Sequence, residues 1–178
     1  MTRGIRERLR VFRRDEDAVV AVEFALLFPF IFFLFIWAVE LGILMTKSVM
    51  LEFAVDVAMR DLRLGRVEDP DPEKLRDAIC ARARILRNCH DTIMLDMQPI
   101  DTDVWALPAR NVECRNRDAI LQPAVTFTPG QQNEIMLVRA CVIVEPLFPG
   151  TGIGAMLPKD QGGGFGMVAF SAFVNEPT

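Results

Sequence analysis

At 178 residues and net charge −4, the chain has room for one folded domain plus an anchor, and its acidic balance argues against nucleic-acid binding. The charge is unevenly placed. Residues 3–14 hold six arginines (Arg3, Arg6, Arg8, Arg10, Arg13, Arg14) against the single acid Glu7, a cluster that holds an N-terminus on the cytoplasmic side of a membrane when an apolar span follows.

Such a span follows at once. Ala18 to Thr46 reads AVVAVEFALLFPFIFFLFIWAVELGILMT and contains only two charges, Glu23 and Glu40. As a helix, Phe24 to Val39 would cover about 24 Å, and continuing to Met45 about 33 Å, enough to cross a bilayer core. A cleaved secretory signal would have a shorter apolar core and a small-residue exit, whereas this segment ends in bulky residues. Beyond it Leu51, Ala54, Val55, Ala58 and Leu62 recur at spacings of three and four, so anchor and stalk are expected to form one helix from about Asp17 to Leu64, stopped by Gly65. Pro29 removes one helical hydrogen bond inside the span and is a candidate kink.

Glu23 enters hydrocarbon at a cost of a few kcal/mol unless it finds a partner. Snorkelling to the headgroups is the plain explanation. A second explanation comes from the surrounding residues: Arg13-Arg14, then Asp15-Glu16-Asp17, Ala18, the triplet Val22-Glu23-Phe24, Pro29, and Glu40-Leu41-Gly42. This N-terminus resembles those of the TadE-like proteins, minor pilins or pseudopilins of the tight-adherence (Tad/Flp) type IVb pilus. The close of the chain, Phe173-Val174-Asn175-Glu176-Pro177, is similar as well.

The resemblance implies a type IV pilin-like fold and a chain held in the bacterial inner membrane, its C-terminal domain periplasmic. It implies a prepilin peptidase cutting between Ala18 and Val19, with Ala18 standing where Gly is usual. Glu23, beside Phe24, would then face the new amine of a neighbouring subunit. The implied partners are a TadF-like pseudopilin, the major Flp pilin and the pilus assembly platform with its ATPase, and the implied roles are pilus assembly, adhesion and surface colonisation. The residues alone leave open an uncleaved bitopic protein whose outer domain binds a partner.

After Gly65, Asp71 is placed to cap a helix with Pro72 in its first turn, running to about Arg87 with Leu75, Ile79, Ala83 and Leu86 buried. Lys74, Arg76, Arg82, Arg84 and Arg87 are expected on a solvated face. Thr92–Gln98, Ala124–Thr128, Glu134–Pro146 and Gly166–Val174 read as strands of an antiparallel sheet. The Gly-rich run from Gly150 to Gly166 lacks the Gly-Lys-Ser/Thr ending of a phosphate loop and is expected to be a flexible hairpin excursion. The fold class is thus α+β: a basic leader over 1–18, a transmembrane helix over 19–46, a helical stalk over 47–65 and an outer domain over 66–178.

The four cysteines, Cys80, Cys89, Cys114 and Cys141, lie on the expected outer side and allow three pairings, of which Cys80–Cys89 with Cys114–Cys141 is favoured. With one histidine, His90, and no CxxC pair, no metal or other cofactor is expected. Asp91, Asp96, Asp101 and Asp103 have no paired base or nucleophile around them, and His90 beside Cys89 is a superficial match to a catalytic pair. No enzymatic activity is expected.

Overall fold

The computed structural model describes residues 16–67, 70–104, 114, 126–128, 130–160 and 162–175, with side chains from residue 19 onward. Residues 1–15 of the basic leader, Ala124, Val125 and Glu176-Pro177 lie outside the described residues.

Helix α1, Glu16–Arg63, is continuous through Pro29 and about 72 Å long at 1.5 Å per residue. Its C-terminus is set by local chemistry. Gly65, at φ 65°, donates to Leu62 O at 3.0 Å, and Arg66 donates to Asp61 O at 3.0 Å, the paired bonds of a Schellman ending. Helix α2, Pro72–Arg82, begins where Asp71 accepts from the Lys74 amide at 2.7 Å. Its end falls short of the expected Arg87. The Cys80–Cys89 bond, with Cα atoms 5.6 Å apart, requires the chain to fold back, and the resulting turn still buries Ala83 and Leu86.

A short helix α3, Cys89–Thr92, then occupies the position where a strand was expected to begin. Strand β1 is Met94–Pro99, β2 is Ile135–Val144 and β3 is Phe165–Val174; they pair antiparallel in the order β1-β2-β3. Met97 pairs with Val138 across one edge of β2, and Ala140 pairs with Ala169 across the other. The expected strand at 124–128 is, over its described residues, a single parallel bridge from Phe127 to Met97.

Period-two alternation turns Met136, Val138, Ala140 and Val142 of β2 inward, where they meet Leu51, Val55 and Met59 of α1 and Leu75 and Ile79 of α2 in one core. The opposite face of β2 is also covered at Arg139 and Cys141. Cys141 is bonded there to Cys114, with Cα atoms 5.1 Å apart and a sequence separation of 27. A loop of that length constrains the unfolded chain by about 3.5 kcal/mol in the entropic picture.

The Gly-rich connection differs from expectation. It contains helix α4, Gly152–Met156, and packs back against α1 through Gly152 and Gly154. It is a docked strap, because its glycines allow the backbone closer to α1 than any side chain would.

Candidate functional site

The first half of α1 is uncovered on all sides. It is long and apolar enough to cross a membrane, and its most apolar window has no buried residue. Phe24, Phe28, Phe30, Phe32, Phe33 and Phe35 are all exposed; Phe24, Phe28 and Phe32 form a column with ring centroids 5.3 and 5.7 Å apart. Val19 lies one turn before Glu23, and both are exposed. Among the described residues no group hydrogen-bonds to the Glu23 carboxylate, so Glu23, Phe24 and Pro29 present an open helical surface.

The second half of α1 has a face that is buried. Its stripe runs through Leu44, Leu51, Ala54, Val55 and Ala58, the three-and-four spacing of a helix packed on one side. Four residues before Leu44 the same stripe begins with Glu40, which is 1 % exposed. Its carboxylate accepts from the Phe148 amide at 3.0 Å and from the Gly154 amide at 3.3 Å, both in the strap.

Glycine is required at both contact points. A Cβ on Gly154 would lie 2.4 Å from Phe148 O and 2.9 Å from Glu40 Oε1; one on Gly152, itself at φ 58°, would lie 2.6 Å from the Trp37 ring. The strap therefore docks as a one-sided collar against Trp37 and Glu40 at the end of the exposed apolar half. Leu147, Phe148 and Met156 remain exposed on it.

Glu40, one of the two charges in the apolar stretch, thus takes its role from contacts distant in sequence. Its phase relative to Leu44 and Leu51 was the available signal, since an acid in line with a buried stripe needs a donor. Arg139 was missed as well. It donates to Asp96 through Nε at 2.7 Å and through Nη2, both groups being buried. Asp96 also accepts from Gln98 at 2.9 Å and from the Thr126 amide at 3.2 Å, which accounts for it structurally. Arg82, expected in solvent, donates to Asp61 of α1 at 2.6 Å and so ties α2 to the stalk. His90 pairs with Asp77 at 3.1 Å rather than with a thiol.

Cys80, Cys89, Cys114 and Cys141 are all bonded. Among the described residues no three His, Cys, Asp or Glu side chains converge as a metal site would need. No family model, curated protein or solved structure matches the chain.

Proposed function

We propose that the chain is a single-pass membrane protein acting as a minor pilin or pseudopilin of a tight-adherence pilus. The N-terminal resemblance supplies the identity. The observation that carries the reading furthest is that α1 is shared: one helix presents an uncovered apolar half and then supplies one wall of the domain core. A subunit of this shape would rest in the bilayer by the first half and be packed beside its neighbours through that same surface.

Glu23 would be the assembly residue, paired with the amine at Val19 of the adjacent subunit after cleavage behind Ala18. Such a pair, taken out of water, would fix register between subunits. Cleavage would leave the mature chain at net charge −6. The uncleaved bitopic protein with a binding domain outside is the second reading, favoured by Ala18 in the place usually held by Gly.

Intact mass of the membrane-extracted chain separates the two. A mature form starting at Val19 is expected, and a chain retaining Met1 would reject processing. Glu23→Ala is expected to abolish piliation while the chain still inserts; normal pili on that variant would reject the role given to Glu23.

A further inference from the structure

Where the strap leaves β2, a cavity of about 430 Å³ opens between α1, the turn after α2 and the first strap residues. Ile43, Ile143 and Leu147 form apolar wall, and among the described residues Lys47, Arg87 and Glu145 are the titratable groups lining it. Lys47 donates to the backbone carbonyl of Glu145 at 3.3 Å. Arg87 is exposed, and among the described residues it bonds no acid. Two cations against one carboxylate leave the lining with one net positive charge beside a greasy wall.

The height of this cavity on α1 selects its ligand. If hydrocarbon begins at Glu23, a core of about 30 Å takes up about 20 residues and ends near Ile43. Lys47, one turn further on, then lies about 6 Å beyond, within the headgroup layer. Leu147, which lines the cavity, is itself exposed. We infer that this cavity binds the phosphodiester headgroup of an anionic phospholipid, with Lys47 and Arg87 on the phosphate and an acyl chain along Ile43 and Leu147. Burial holds the Lys47 ammonium below its ordinary pKa; Glu145 pulls it back up, and Arg87 pushes it further down. A cation so placed gains from a second anion. The inference rests on α1 as a membrane span and is independent of the pilus reading.

The test is native mass spectrometry of the full chain released from nanodiscs containing either phosphatidylglycerol or phosphatidylcholine. Retained phosphatidylglycerol is expected to exceed retained phosphatidylcholine and to fall about fivefold for each cation removed in Lys47→Ala and Arg87→Ala. Arg84→Ala, an equal charge change outside the cavity, should leave retention unaltered. Equal retention of both lipids, or an equal loss in Arg84→Ala, would overturn the site. Displacement of the lipid by millimolar glycerol phosphate would reassign the cavity to a soluble phosphate and overturn the lipid claim. Alkaline carbonate extraction separates the two levels: release of the chain would reject the span and the site together, whereas a retained chain without lipid preference would reject only the site.

Discussion

Glu23 and Glu40 are the same side chain on the same helix, yet their surroundings are opposite. Around Glu23 the helix is uncovered and no described group answers the carboxylate; around Glu40 the strap supplies two amides and shields the carboxylate from solvent. An acid in an apolar stretch therefore has two settings. One is internal, from the chain's own backbone, as at Glu40; the other, at Glu23, leaves the carboxylate without a donor among the described residues. Asp96 sets the scale for the internal kind, since there a guanidinium, an amide and a side-chain amide converge on one carboxylate.

Breaking these contacts should rank them. Asp96→Ala, which takes the carboxylate away from buried Arg139, is expected to cost about 3–5 kcal/mol in denaturant unfolding of the detergent-solubilised chain; a cost near zero would mean the pair is solvated. Glu40→Gln should follow at about 1–3 kcal/mol, because its amide nitrogen cannot accept and one strap N–H loses its acceptor. Faster hydrogen exchange at Phe148 and Gly154 is the local readout, and unchanged exchange there would remove Glu40 from the collar. Glu23→Gln is expected to stay within about 0.5 kcal/mol of the native domain, so a larger loss would show that Glu23 already has a partner inside the folded chain.

The smallest effect concerns Lys47. Its pKa is lowered by burial, with Glu145 opposing and Arg87 adding to the shift, so in the window below the ordinary value of 10.5 the unfolded chain holds the proton more tightly than the folded one. Stability should therefore rise slightly as pH climbs toward 10.5. That slope should be flatter in Lys47→Met; the same slope in both chains would assign it to other groups.

What was legible in the sequence was what neighbours in the chain decide. The bounds of α1 came from hydropathy and Gly65, and the start of α2 from Asp71 and Pro72, since capping is a contact over a few residues. Strand β2 was visible as a Val/Ile-rich run, and β1 and β3 by their alternation. The early end of α2 at Arg82 was not visible, because helical periodicity continues through Leu86 while the bond to Cys89 forces the fold-back. Nor was the collar, whose donors, at residues 148 and 154, stand far from Glu40 in sequence. A glycine-rich stretch looks loose until the surface it must approach is known.

Because no hinge separates the apolar half of α1 from the half that walls the core, the domain has no swivel of its own. Each residue added or removed between Phe24 and Trp37 would turn everything downstream by about 100° and shift it by about 1.5 Å along the axis. The number of residues in that stretch thus acts as an azimuth setting. It would decide which side of the domain faces a neighbouring molecule, even though none of those residues belongs to the domain.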